Sequence, residues 1–409
     1  MTGARFLLPE STVSSLTMAG SWVFVTIVLY QYVDAATFSI CLFSLFFSEL
    51  LSDFLLAGVH RQKFGFTNVL SWEDTVGHIM MRWILLTSLL VLVSYADLLT
   101  FYCNHHFTIL CVMGLCLTLA LIKSAATRQR NVRKWVLLIM QARLLVIACA
   151  IAVATKFGPV DSDLVMTLTV AILLCLLIVS FWRLSPSAKI ESKPIQGSVL
   201  LGRSAVAGVP LLFKNADLLI LPWIFPPAQA LFYLLVRGIA GAIGLILGSL
   251  TSILRDPLYS AFEQENRSAF VAMAARANLG FLLIGGGACL VVLSAGPYLL
   301  DFVSINSSEM KKVLAWVVVA QAAPVFFGAT SILLDVTRNQ RDSVLIAGIG
   351  ALAVWISTAV IDIISILDLA MVYAGVRVVA SGAAATILGL RFGIWPGLTA
   401  ILFRQIKLF

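Results

Sequence analysis

Four cations stand inside long apolar runs of this 409-residue sequence: Arg143, Arg237, Arg377 and Lys214. An ionisable group at mid-bilayer costs at least about 2.5 to 3.5 kcal/mol, so each marks either a function or a hidden partner. At a helical rise of 1.5 Å per residue, Arg143 lies about 12 Å into its run, and Arg237 and Arg377 about 13 to 14 Å into theirs. In a hydrocarbon core about 30 Å thick, all three arginines are near the midplane. Lys214 is nearer the outer side. A guanidinium offers planar, two-pronged hydrogen bonding to phosphate or carboxylate. The chemistry in view is therefore either recognition of an anion or burial of structural ion pairs.

The acidic residues decide between those readings only in part. Lys214 and Asp217 are three residues apart on one helix face, where opposite charges meet, and a local pair is expected. Glu49 is close to mid-depth and can serve as a structural partner for Arg143 or as a coupling carboxylate. Asp53 and Asp362 approach the interfaces and read as solvated ends. Arg237 and Arg377 have no carboxylate at helical spacing on their own helices, so they are expected to line a water-filled cavity. Gly241, Gly244 and Gly248 follow Arg237 on the same face, where small residues admit a neighbouring helix or a ligand close to the backbone. Pro210, Pro324 and the Gly280 and Gly285 to Gly287 cluster can loosen their helices.

Other chemistry is thin. His105 and His106 are adjacent and point about 100° apart on a helix, which is not the i, i+4 geometry of a helical zinc pair. No phosphate-cradling Walker loop and no nucleophile elbow occur. The seven cysteines have no CxxC spacing and read as small buried apolar side chains. No catalytic residue, metal site or cofactor is expected, and a coupling ion is left open between H+ and Na+.

These residues need helices that cross a membrane to hold them. The sequence is 60% hydrophobic and 12% charged, against about 25% charged residues in a soluble domain. Twelve spans of roughly 20 apolar residues can be drawn, near 12–32, 36–59, 79–96, 106–123, 135–155, 163–182, 199–225, 228–254, 274–295, 313–334, 343–366 and 368–390. The first is span-length without a cleavage-type exit and is expected to remain as an anchor. A net charge of +8 resides mainly in alternate loops, among them Arg61 and Lys63, Lys123 to Lys134, and Arg183 to Lys193. That asymmetry orients both termini to the cytoplasm and makes nucleic acid unnecessary as an explanation. The Pro- and Ser-bearing linker 183–197 separates an N-terminal six-helix lobe, 1–182, from a C-terminal lobe, 198–390. An interfacial tail follows over 391–409, carrying Trp395, Arg404 and Lys407. The expected fold is an all-α polytopic membrane protein in two lobes, a plan that places substrate sites near the midplane between repeats.

The stretch from Leu200 to Phe262, with KNADLLILPWIFPPAQALFYLLVRGIAGAIGLILGSLTSILRDPLYSAF at its centre, resembles helices seven and eight of Wzx-type polysaccharide flippases. These belong to the superfamily of multidrug, oligosaccharidyl-lipid and polysaccharide exporters, which also holds lipid II flippases and multidrug and toxin extruders. Asn215 and Asp217, the Pro226-Pro227 turn and a Pro257 exit carry the likeness. YVDAATFSICLFSLFFSELLSDFLLAGVHR resembles the family's helix two, although Phe54 and Leu55 replace a usual glycine and VDAA stands where Gly-Pro is more usual. The resemblance implies a bacterial inner-membrane protein that moves an undecaprenyl-linked saccharide from the inner to the outer leaflet by alternating access. The partners it implies are membrane lipid, the anionic lipid-linked saccharide, and polymerase and export proteins of the same pathway. Its pyrophosphate suits the cations Arg237, Arg377, Arg143 and Lys214, taken in that order, with Glu49 and Asp217 as ion-pair or coupling carboxylates. A cation or drug antiporter of the same fold, or a membrane-embedded enzyme or assembly subunit of envelope synthesis, are the competing readings.

The topology is open to direct measurement. In a cysteine-free background, Asn104→Cys and Val160→Cys should react with an impermeant thiol reagent in intact cells, and Arg130→Cys and Ala188→Cys should be protected. Labelling at either of the latter two would reverse the orientation.

Overall fold

The computed structural model describes residues 35–56, 72–95, 106–128, several positions between 167 and 175, residue 206, and residues 208–302, 308–361 and 365–397. Among these, every regular element is helical. The expected span 12–32, the span 135–155 that carries Arg143, most of 163–182, the linker 183–197, Asp362 and the tail beyond 397 lie outside the described residues. The chain divides into two compact units, one containing residues 17–208 with Leu221–Leu231, the other containing Val209–Ile220 and everything from Phe232 onward.

The first unit holds α1 (Ala35–Leu56), α2 (Trp72–Tyr95) and α3 (His106–Arg128). Its interior is lined by small and aliphatic side chains, with Cys41, Leu45 and Leu55 of α1 and Met113, Leu115 and Cys116 of α3 almost fully buried. Two polar contacts tie α2 to its neighbours. The Trp83 indole N–H donates to the Met113 carbonyl at 2.8 Å, and Arg82 Nη1 donates to the Leu55 carbonyl at 3.0 Å.

A helical segment 208–214 is interrupted at Asn215 and resumes as α4 (Ala216–Ile224); the second unit takes it from Val209 to Ile220 and the chain again from Phe232. After the Pro226-Pro227 turn comes α5 (Pro227–Glu263), which runs on past Pro257, so that proline is interior to the helix instead of marking its exit. α6 (Arg267–Gly280) passes through a π-helical turn, Phe281–Gly285, into α7 (Gly286–Phe302). Gly285 is needed there because a Cβ would meet Val325 and Leu247 at 2.7 and 2.8 Å. α8 (Ser308–Phe326) and α9 (Thr330–Val336) form one span bent by 44°. The unit closes with α10 (Gln340–Val360) and α11 (Ile366–Phe392), the latter opened by a reciprocal Ser365–Asp368 capping box and ended by Gly393 in the left-handed region.

The spans on record thus coincide with the expected ones in place and order, while their ends and continuity differ. α10 shows why the lipid environment is required. Leu345, Ile349, Leu352, Ile356 and Val360 are all exposed and recur at steps of three and four, so one whole face of the helix is bare and apolar. Water would penalise such a stripe, and hydrocarbon does not.

The bend between α8 and α9 is built from backbone. Gly328 has φ +76° and the Asn278 side-chain oxygen accepts from the Ala329 N–H at 3.0 Å, replacing a bond lost at the break. Gly397, φ +61°, sits against Phe326, Phe327 and Gly328 so closely that a Cβ would strike main-chain atoms. Gly397→Ala is therefore expected to destabilise the protein by about 1 to 3 kcal/mol, since both overpacking and a strained φ are charged to one methyl. Gly286→Ala, with open space around it, should leave the thermal unfolding midpoint unchanged or slightly raised. Equal midpoints for the two variants would dismiss the close-approach argument.

Candidate functional site

The interruption at Asn215 leaves the Lys214 carbonyl without its normal helical partner. Two side chains answer it, with Tyr373 Oη donating to the Lys214 oxygen at 2.6 Å and Arg237 Nη2 donating to the same oxygen at 2.9 Å. Tyr373 lies on α11 and Arg237 on α5, so one main-chain oxygen gathers three spans. The Asn215 side-chain amide donates back to the Leu211 carbonyl at 3.0 Å and finishes the first half of the helix.

Arg237 is only 7% exposed and Asp217 is completely buried. Nε of Arg237 donates to Asp217 Oδ2 at 2.9 Å, and Nη2 also donates to Tyr373 Oη at 3.2 Å. Tyr233 Oη donates to the same Asp217 oxygen at 2.7 Å. The Gln321 side-chain amide of α8 turns its oxygen to the guanidinium and accepts from Nη1 and, at 3.1 Å, from Nη2. Its approach is possible because Gly244 is a glycine, with the amide 3.3 Å from where a Cβ would be. The Tyr373 ring adds a cation–π contact, 5.5 Å from the Arg237 carbon to the ring centroid. A buried charge is tolerable when paired and fully hydrogen-bonded, and Arg237 meets that condition on Nε and both Nη atoms.

This arrangement revises two expectations. Asp217 pairs with Arg237 on the following span, and not with Lys214 on its own helix; Lys214 contributes its main-chain carbonyl to the site. Arg237 is enclosed within the helices instead of lining an open cavity. Spacing along single helices cannot show this pairing, but Asp217 and Arg237 stand about ten residues on either side of the Pro226-Pro227 turn and so at equal depth on adjacent antiparallel spans. Of the three glycines behind Arg237, only Gly244 has a close neighbour, so the stripe serves packing at one point.

Arg377 is placed differently. It lies one turn beyond Tyr373 on α11, is half-buried, and has its carbon 5.2 Å from the centroid of the Phe213 ring. Its Nε is buried and has no hydrogen-bond partner, and among the described residues no carboxylate pairs with the guanidinium. Phe213, Tyr233, Tyr373 and Gln321 are site residues the sequence reading did not single out, because aromatic and amide side chains in apolar runs carry no charge signal. Glu49 is half-buried on α1 in the other unit, Asp53 is exposed there, and Arg143 is outside the described residues. A second buried carboxylate, Asp335, is held by Arg255 Nη2 at 2.8 Å and by Gln340 Nε2 at 3.2 Å. Among the described residues no His, Cys, Asp or Glu cluster could hold a metal ion.

The Asp217–Arg237 pair gives a sharp stability test. Removing one partner strands a buried charge and costs about 3 to 5 kcal/mol, whereas removing both is far milder. Asp217→Asn and Arg237→Met should each reduce the yield of monodisperse protein and its thermal midpoint, and the double variant should recover most of the loss. A double variant as poor as the worse single would mean that the two charges act separately.

By fold, the chain is similar to the MATE multidrug transporter DinF-BH, with a TM-score of 0.63 and 10% sequence identity over 94% of each chain. It is also similar to a multidrug resistance MATE family transporter of the MOP superfamily in an inward-facing conformation, with a TM-score of 0.54 and 10% identity over 97% of this chain and 99% of that one. A third likeness is to a MOP superfamily transporter from Pyrococcus furiosus, whose reverse polarity of binding pocket suggests a different function; here the TM-score is 0.53 and the identity 12%, over 96% of this chain and 97% of the other. No protein-family model and no curated protein matches the sequence. At such identities the likeness is one of architecture, and it extends over nearly the whole chain: the fold is the all-α polytopic fold of MOP superfamily transporters.

Proposed function

We propose that the protein is a transporter that moves an anionic lipid-linked saccharide from the inner to the outer leaflet by alternating access. The observation that carries this reading is Arg377, a guanidinium inside a span with no carboxylate partner among the described residues and one nitrogen unsatisfied. A bare cation in hydrocarbon is costly to keep, and a ligand phosphate would supply both its counter-charge and its missing hydrogen bonds. The lipid tail of such a substrate can remain in the bilayer while its charged head crosses, so the protein needs to shelter only the polar part.

The carboxylates support the same reading. A drug or cation antiporter needs a deep carboxylate free to exchange a proton or ion. In the second unit Asp217 is held through one oxygen by Arg237 and Tyr233, and Asp335 by Arg255 and Gln340. The Pyrococcus furiosus transporter, with its reverse polarity of binding pocket, illustrates that this fold does not fix the charge of what it carries. Arg377 now leads the candidate substrate contacts, followed by Lys214, which adjoins Phe213 in the broken helix, and by Arg143, expected from sequence alone. Arg237 passes to a structural role.

Complementation of a flippase-deficient strain tests the proposal. With surface polysaccharide normalised to membrane protein, transport should fall from wild type to Arg377→Lys, which keeps the charge but loses the planar fork, and again to Arg377→Ala, at roughly tenfold or more below wild type. Full activity in Arg377→Ala would remove the anionic contact on which the reading stands.

A further inference from the structure

Phe213 precedes Lys214 at the helix break, and its position is fixed from two sides. Behind it, Tyr373 and Arg237 hold the Lys214 carbonyl, so the last turn of segment 208–214 is pinned to α11 one residue away from the ring. Beneath it lies Gly350 of α10, where a Cβ would come within 2.5, 2.8 and 2.9 Å of three ring carbons. The ring therefore occupies space that only a glycine leaves open. Ala347 and Ala380 cluster with it, Val209, Ile346, Ala351 and Val376 pack against that cluster, and the ring itself is buried. Against this fixed surface lies the Arg377 guanidinium, 5.2 Å away.

A guanidinium stacked by its face on an aromatic ring keeps its N–H groups in the plane, pointing away from the ring. Face and edge thus serve different partners. In Arg377 the Nε end of that edge is shut in without a partner, while the residue as a whole is only half-buried, which leaves the paired Nη atoms as the open end. Contact with a ring so closely seated restricts the guanidinium before any ligand arrives, and that entropy is then not lost on binding.

We infer that Phe213 is a positioning residue for the anion site: its ring, seated on Gly350, holds Arg377 flat so that the two Nη groups grip a pair of anionic oxygens end-on. This rests on the anionic reading above and adds a part that reading does not contain. Phe213 touches no ligand in this arrangement. Its contribution is the orientation of the cation, and it depends on the electron density of the ring face as well as on ring shape.

That dependence separates positioning from packing. Inorganic pyrophosphate is titrated calorimetrically into the purified full-length protein in lipid nanodiscs, with position 213 carrying phenylalanine or its mono-, di- and trifluorinated forms. Fluorination drains the ring face while nearly preserving its shape, so the fold should be kept and affinity should fall stepwise, by about three- to tenfold over the series. Phe213→Leu should match the weakest member. In an Arg377→Gln background binding should be lost and fluorination should change nothing further. Affinity that is unchanged or rises on fluorination, with binding still lost in Arg377→Gln, would overturn the role of Phe213 and leave the anion site standing. Wild-type affinity in Arg377→Gln, or no pyrophosphate binding by the wild-type protein, would overturn the site and the anionic reading together.

Discussion

The enclosed guanidinium of Arg237 is the interaction on which the second unit depends. It holds a carboxylate of α4, a main-chain oxygen at the helix break, a phenol of α11 and an amide of α8 at one point. Hydrophobic packing cannot assign such contacts in lipid, because a neighbouring lipid tail is as apolar as a neighbouring leucine. Directional bonds to one buried charge can. The break at Asn215 is therefore tolerated because its unpaired carbonyl is already spoken for, and the charge is tolerated because the break supplies an acceptor. Each feature would be costly without the other.

The two arginines of this unit show how burial and partnership, more than depth, divide roles. Arg237 and Arg377 are alike in the sequence, each about 13 to 14 Å into an apolar run. In the fold the first is saturated by oxygen acceptors and the second rests against a ring with one nitrogen unsatisfied. A saturated charge is part of the scaffold. An unsaturated one is an energetic deficit that a ligand can relieve, and it lies one turn of α11 beyond Tyr373, the phenol that contacts the scaffold charge.

Much of the architecture was legible in the sequence because span length and apolarity are properties of one segment at a time. α11 begins and ends within a few residues of where hydropathy places it, and α10 begins close to its expected start but ends short of its expected end. Breaks were not legible. Asn215 and Gly328 interrupt spans whose hydropathy is continuous, and both need partners from distant sequence, Arg237 and Tyr373 for the first and Asn278 and Gly397 for the second. The intramembrane arginines stood out at once, whereas their surroundings did not. Asp217 was assigned to the nearer cation on its own helix, and the depth match across the Pro226-Pro227 turn went unused. Arg82 escaped notice because its span, drawn from residue 79, begins at Trp72 and carries it a turn and more inward.

The seat of Phe213 on Gly350 has a consequence for how this protein can change over time. The ring fits only because position 350 lacks a side chain, so the two positions share one volume although they are far apart in the chain. A methyl gained at 350 would have to be matched by a smaller side chain at 213, and the loss of the ring would in turn release position 350 to accept one. Position 350 cannot gain a side chain until position 213 has given up its ring. The order of the two steps is therefore set, and a lineage that takes them emerges with Arg377 facing a different neighbour.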